Sequence, residues 1–304
     1  MIESNITGET PLISVDEEGR IWAKLETHNR TGSVKDRMIE YICDIAVANG
    51  DIIPGETTLV EATSGNTGIA LASYAASMDC PCKIIMPCNM SRQRKQMMKA
   101  FGAEIIETGP NQFRDAIDIK LKMISPKKID DYSLCGQSPY SFKDGFFSPM
   151  QFENPLNISC HNRVTAPEIH RQVISGRIGK WEAFIHGSGT GGTMMGVKNY
   201  IDQHCPDVKC ILMQPAEDNS SHGIQGVNDG ADFLLNTSVM DEFIYIKTED
   251  AIKRMKRFWK ETGILIGISS GANILAAEKY IDMHDPDGVV VTILCDRGER
   301  YLEK

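Results

Sequence analysis

Residues 58–78 read TLVEATSGNTGIALASYAASM. A short β-favouring run, TLVEA, meets a cluster of small polar residues, and an apolar run at helical spacing follows. The pattern predicts strand, turn and helix. Working outward, the same alternation recurs. Strands are predicted at RIWAKLE (20–26), CKIIMP (82–87), AEIIET (103–108), EAFIHG (182–187), KCILMQP (209–215) and GVVVTILC (288–295). Helices are predicted from a first turn that includes Lys35 to Asn49, and at SRQRKQMMKAFG (91–102, closed by Gly102), FRDAIDIKLKMI (113–124) and TAPEIHRQVI (165–174). Others follow Thr193, EDAIKRMKRFWKETG (249–263) and a start near Ala272. Strands alternating with helices imply an α/β fold with a mainly parallel sheet. Residues 139–157, rich in aromatics, Pro, Asn and Ser, read as a crossover between domains, and 218–240 as a long irregular segment.

The chain has 304 residues, enough for two domains with cores of their own. Its formal net charge is −9, with no long basic block, so nucleic acid is not an expected partner. No apolar run approaches the roughly 20 residues of a membrane span. The first twenty residues are polar and acidic, which does not suit a signal peptide. The nine cysteines are scattered and odd in number, which suits a reducing cytoplasm. Cys80, Cys82 and Cys88 lie close in CPCKIIMPC, but KIIM reads as a buried strand between them, so no metal site is expected.

TGSVKDR (31–37) sets a problem. Ser33 and Asp36 resemble a capping box, which places Lys35 in the first turn of a helix. A cation is disfavoured there by ~0.3–1 kcal/mol, because the amide end of a helix carries partial positive charge. Either Lys35 is solvated and tolerates the cost, or its working form is uncharged.

Three turns bear on the choice. EATSGNTGIA (61–70) runs from strand to helix through small polar residues, and Thr63, Ser64 and Thr67 add hydroxyl donors to an amide nest. It is either an ordinary helix cap or a place where something approaches the backbone closely. HGSGTGGTMMG (186–196) contains G-x-G-x-x-G at Gly187, Gly189 and Gly192, which is also the dinucleotide fingerprint. A dehydrogenase needs an acid at the end of the next strand, and that strand ends in Gln214-Pro215. Ser188, Thr190 and Thr193 better suit a compact terminal phosphate. GISSGAN (267–273) reads as a turn between a short apolar strand and a helix.

A lysine at a helix start, a carboxylate-sized nest, a phosphate-sized nest and a late serine turn together describe a pyridoxal phosphate site. TPL, KLETHN, GSVKDR, EATSGNTGIALA, AFGAEI, QFENP, GSGTGGT, QGV, GISSGA and DRGERYL all resemble, in order and spacing, the cysteine synthase (O-acetylserine sulfhydrylase) family. These are fold-type-II pyridoxal phosphate enzymes, tryptophan synthase β-like. The CDRGERYLE ending is closer to the B isoform.

The resemblance implies two domains with the cofactor between them. Residues 1–39 and 146–304 would form the larger, cofactor-binding domain and 40–145 a smaller, mobile one. It implies that Lys35 carries the cofactor and that Asn66 bonds its ring oxygen. Gly189, Thr190, Gly191, Gly192 and Thr193 would hold the phosphate, and Ser269 would face the pyridine nitrogen. Thr63, Ser64, Gly65, Asn66 and Thr67 would bind the substrate carboxylate, with Gln151 and Gln225 also at the substrate. The implied reaction is β-replacement, making L-cysteine from O-acetyl-L-serine and sulfide, or thiosulfate, through an α-aminoacrylate. A homodimer and a serine acetyltransferase partner are implied too. On this reading Lys35 breaks the helix-charge rule because its working form is neutral or bonded to a carbonyl.

Two departures stand out. Arg30 occupies a position where many relatives have proline, and VNDGADFLL replaces the usual continuation after Gln225-Gly226. Phosphoserine-using relatives tend to place arginine where this chain has Gln225. Other nucleophiles remain open, as in cystathionine β-synthase-like or diaminopropionate-forming enzymes, as do a phosphoserine substrate, a nicotinamide dehydrogenase and a non-catalytic scaffold.

Overall fold

The structure is a computed structural model that describes residues 7–63, 65–129, 138–217, 223–224, 227 and 233–302. In chain order the first elements are β1 (Leu12–Ser14), β2 (Ile21–Leu25), α1 (Lys35–Asn49), β3 (Thr58–Ala62), α2 (Asn66–Ser77), β4 (Cys82–Pro87), α3 (Arg92–Ala100), β5 (Glu104–Thr108) and α4 (Phe113–Ile124). The short strands β6 (Lys127–Lys128), β7 (Tyr140–Ser141) and β8 (Phe146–Phe147) follow, then α5 (Leu156–Cys160), α6 (Ala166–Ser175), β9 (Trp181–Gly187) and α7 (Gly192–His204). The last are β10 (Lys209–Pro215), β11 (Glu242–Ile246), α8 (Thr248–Thr262), α9 (Ile268–His284) and β12 (Val289–Leu294). The α/β class with mainly parallel sheets is as expected.

The chain divides into two compact units, Met1–Val34 with Asn157–Lys304, and Lys35–Leu156. The first is built on a six-stranded sheet in the order β1-β2-β12-β9-β10-β11, parallel except for the β1 edge. Alternate residues of its central strands feed opposite cores, as the two-residue period of a strand requires. Ala183, Ile185, Ile211 and Met213 pack with α8 and α9, while Phe184, Cys210 and Leu212 pack with α6 and α7. The second unit has a parallel four-stranded sheet, β5-β4-β3-β8, with the same two-sided packing. Leu59, Ile84 and Met86 join α1 and α2, and Val60, Ala62 and Ile85 join α4. Strands buried on both faces read as near-continuous apolar runs, which is why TLVEA, CKIIMP and GVVVTILC stand out in the sequence.

Several details differ from expectation. The last helix begins at Ile268, four residues earlier than read, so Ser269 and Ser270 lie in its first turn. Backbone bonds hold that early start: Gly267 N–H donates to Asp296 O and Gly271 N–H to Gly267 O. Its preceding "strand" is only an isolated bridge, Ile266 to Arg297. Ser33 also pairs in an isolated bridge, with Asp296, and α1 starts at Lys35. β1, β11 and the short strands within 139–157 were not anticipated.

Candidate active site

The first unit presents the glycine loop. β9 ends at Gly187, and α7 starts at Gly192 after Gly191, whose φ of +92° is a backbone that favours glycine. Neighbouring segments hold the loop through hydrogen bonds. Gly187 N–H donates to Asn273 Oδ1 at 2.9 Å, and Leu234 N–H donates to Thr190 O at 3.0 Å. Thr190 Oγ1 accepts from Asn157 Nδ2 at 3.1 Å and from Gly192 N–H at 3.3 Å. Thr193 Oγ1 lies 3.2 Å from His161 Nε2, and His161 Nδ1 lies 2.9 Å from Thr165 Oγ1. Asn273 also donates to His186 Nδ1 and Ile293 O, so one buried amide ties the ends of β9 and β12 to α9, one turn beyond Ser269.

Asn157 and His161 were not singled out from sequence. Between α5 and α6 the helix makes a π-turn over His161–Thr165, with Ala166 N–H donating to His161 O. Such a turn inserts a residue and re-aims the side chains around it. It puts Asn157 and His161 in contact with the loop's two threonines. The only available signal was QFENPLN, where an asparagine follows the NP turn.

The second unit presents Lys35, the half-buried first residue of α1, and the turn between β3 and α2. Thr63 and Thr67 are buried, while Gly65 and Asn66 are half-buried. Gly65 N–H donates to Thr63 Oγ1 at 3.3 Å, and Thr67 Oγ1 donates to Gln151 Oε1 at 2.7 Å. Gln151 is thus joined to the turn across 84 residues of sequence. Ser64 and Gln225, both expected at the substrate, lie outside the described residues.

The lysine's approach is fixed within the first unit. Gly32 has φ +87°, and a Cβ there would lie 2.5 Å from the Arg297 side chain. Arg297 N–H donates to Gly32 O, Arg297 Nε to Thr27 O, and Val34 N–H to Cys295 O. Cys295 and Arg297 therefore hold the backbone from Thr27 to Val34 within the first unit.

The glycine loop fits a phosphate group. Gly189 is half-buried, Ser188, Thr190 and Thr193 are buried with their hydroxyls on the loop, and the amide end of a 13-residue helix adds donors. Ser188 Oγ is buried and has no hydrogen-bond partner among the described residues, which is an unfilled demand for one. The acid that a dinucleotide ribose needs is not at the end of β10: Glu217 Oε1 accepts from Thr248 N–H at 2.6 Å.

Comparison with known proteins agrees. The family model "Pyridoxal-phosphate dependent enzyme" matches residues 3–296. Cysteine synthase B of Escherichia coli is 37% identical over 305 residues, covering 97% of this chain and 92% of that protein. Cysteine synthase of Staphylococcus aureus is 36% identical over 315 residues, covering 98% and 94%. The crystal structure of an O-acetylserine-dependent cystathionine β-synthase from Helicobacter pylori superposes with a TM-score of 0.85 at 29% identity, covering 100% of this chain and 98% of that one. With a lysine at a helix start, a loop shaped for phosphate and these relatives along nearly its whole length, the chain belongs to the pyridoxal-phosphate-dependent enzyme family, and pyridoxal phosphate is its cofactor.

Proposed function

We propose that the protein is a cysteine synthase that replaces the acetoxy group of O-acetyl-L-serine with a sulfur nucleophile. Bound pyridoxal phosphate supplies a carbonyl carbon for the substrate's amino group and a conjugated ring that takes up the electrons of the broken Cα–H bond. The chain's own residues do the rest. Gly189–Thr193 hold the phosphate, Asn66 donates to the ring oxygen, and Ser269 meets the pyridine nitrogen. Thr63, Ser64, Gly65, Asn66 and Thr67 bind the substrate carboxylate through hydroxyl and amide donors, Thr67 through its main-chain N–H because its hydroxyl proton goes to Gln151 Oε1. Lys35 Nζ anchors the cofactor and then removes the α-proton. A serine opposite the pyridine nitrogen does not enforce ring protonation as a carboxylate would, which favours β-elimination over transamination.

The observation that carries this reading is the bond from Thr67 Oγ1 to the buried Gln151, which fixes a hydroxyl in a turn otherwise made of small residues. O-acetylserine is the substrate favoured over O-phosphoserine. Gln225 offers a neutral amide where a phosphate dianion needs a charged, bidentate donor. A preference of at least ~10-fold in kcat/KM corresponds to about 1.4 kcal/mol. The likeness to the Helicobacter pylori protein favours a second reading, in which a thiol amino acid replaces sulfide.

The test is spectroscopic and kinetic. O-acetylserine should shift the visible absorbance of the holoenzyme, and a screen of sulfide, thiosulfate and homocysteine should return it fastest with an inorganic sulfur donor. No shift with O-acetylserine would overturn the reading, and fastest return with homocysteine would select the alternative. The family resemblance also supports a cytoplasmic homodimer. It points to serine acetyltransferase as a partner, to be checked by light scattering and co-purification.

A further inference from the structure

Glu61 and Lys120 form an ion pair that the chemistry above does not use. Lys120 Nζ lies 2.9 Å from Glu61 Oε1, and the two side chains are 3% and 0% exposed. Burying both charges is expensive, and an apolar pair of similar volume is often as stable. The carboxylate, however, does more than face a lysine. β3 pairs with β8 only at Thr58 and Leu59, and three residues further on Ala62 N–H donates to Glu61 Oε1 at 2.9 Å. Glu61 Oε2 accepts from Gln151 N–H at 3.3 Å. One carboxylate thus serves main-chain donors on two segments 90 residues apart.

Both segments adjoin the turn assigned to the substrate. Ala62 directly precedes Thr63. Gln151 accepts from Thr67 Oγ1 on the turn's other side. The backbone at Gln151 also needs holding. Met150 before it has φ +52°, a conformation that costs energy unless its surroundings enforce it. Asn154 helps, with its N–H donating to Met150 O and its Nδ2 to Pro149 O.

We infer that Lys120 is a positioning residue for substrate binding: it holds the Glu61 carboxylate, which in turn fixes Ala62 and Gln151 at the two sides of the Thr63–Thr67 turn. Without Lys120 the carboxylate is buried and unpaired. It then turns toward water to regain solvation and gives up its bond to Gln151 N–H. The inference rests on the proposed role of the turn in binding the substrate carboxylate.

The test compares Lys120→Met, Lys120→Arg, Glu61→Gln/Lys120→Met and Thr67→Val holoenzymes. KM and kcat for O-acetylserine are measured at saturating sulfide, with cofactor content and visible spectrum. Lys120→Met should raise KM about 10-fold while kcat changes less than about threefold and the cofactor is retained. Lys120→Arg should restore KM to within about threefold, because it keeps the charge. The double variant carries no buried charge, so it keeps the test valid if Lys120→Met does not fold. It should also raise KM, because an amide has one acceptor oxygen where the carboxylate has two. An unchanged KM in a folded Lys120→Met or in the double variant would overturn the inference. So would a parallel loss of KM, kcat and cofactor, which marks a merely structural pair. Thr67→Val separates the two levels. If it raises KM and Lys120→Met does not, only the positioning role fails; if it leaves KM unchanged, the assignment of the turn to the substrate fails.

Discussion

In the first unit's loop, a Cβ on Gly192 would lie 2.0 Å from Asn157 Oδ1, and one on Gly191 would lie 2.3 Å from Leu235 N. In the second unit's turn, the atoms nearest a Cβ on Gly65 would be those of the Arg94 guanidinium, at 3.5 Å, an ordinary van der Waals distance. Gly191 and Gly192 are therefore demanded by the protein packed against them. Gly65 has room for a methyl group within its own unit. What requires a bare backbone there is, on the proposed function, the substrate carboxylate. On the proposed function, one turn is shaped by its own fold to hold a permanent group, and the other is kept clear for a visiting one.

The largest effect is expected where neither turn is touched. Lys35→Ala should lower turnover by about 10³-fold, the range of a lost general base. The glycine loop should still retain cofactor, and the turn should still bind the amino-acid substrate, read by absorbance titration. Loss of both ligands would show that the turns do not act independently of the lysine.

Gly192→Ala comes next. The added methyl forces Asn157 away from Thr190, an overpacking that costs about 1–3 kcal/mol. Denaturant melts should show that loss, and dialysis should strip the cofactor. Gly65→Ala should do the reverse. Its stability should stay within about 0.5 kcal/mol, as for a substitution that makes only ordinary van der Waals contact, while KM for O-acetylserine rises about 10-fold. If Gly65→Ala destabilises and Gly192→Ala only raises KM, the contrast between the turns is reversed.

The smallest effect concerns the packing beneath each turn. Burial pushes the Cys210 thiol in β10 and the Cys82 thiol in β4 up to about 12, and Cys88 is exposed. A raised thiol stays protonated until the pH passes that value, so near pH 8 neither buried cysteine supplies thiolate. Alkylation of the native protein should mark Cys88 and spare Cys82 and Cys210. Gly192→Ala should expose Cys210 more than Gly65→Ala exposes Cys82, as peptide mass mapping would show. Equal labelling of all three would mean that the sheets do not shield these positions.

The sequence displayed some parts of this comparison and hid others. β3, β4, β10 and α4 matched their predicted bounds, because strands buried on both faces and a helix with a strong apolar stripe are local signals. β11, EFIYI, was missed because it is an edge strand with Phe243 and Tyr245 exposed on one face. Apolar residues on both sides blurred its alternation. The glycine turns were legible because their residues are contiguous. Asn157, His161 and Glu61 were not, because each acts on residues far along the chain. Asn157 reaches Thr190 across 33 positions and Glu61 reaches Gln151 across 90. Only the fold brings these together, and a lone asparagine, histidine or glutamate gives no periodicity to read.

The account turns on Lys35 as the one lysine that carries the cofactor. Borohydride reduction of the holoenzyme, followed by proteolysis and peptide mass mapping, reads that attachment directly. The predicted result is a pyridoxyl group on the peptide containing Lys35 and on no other. A pyridoxyl group on a different lysine, with Lys35 unmodified, would contradict it.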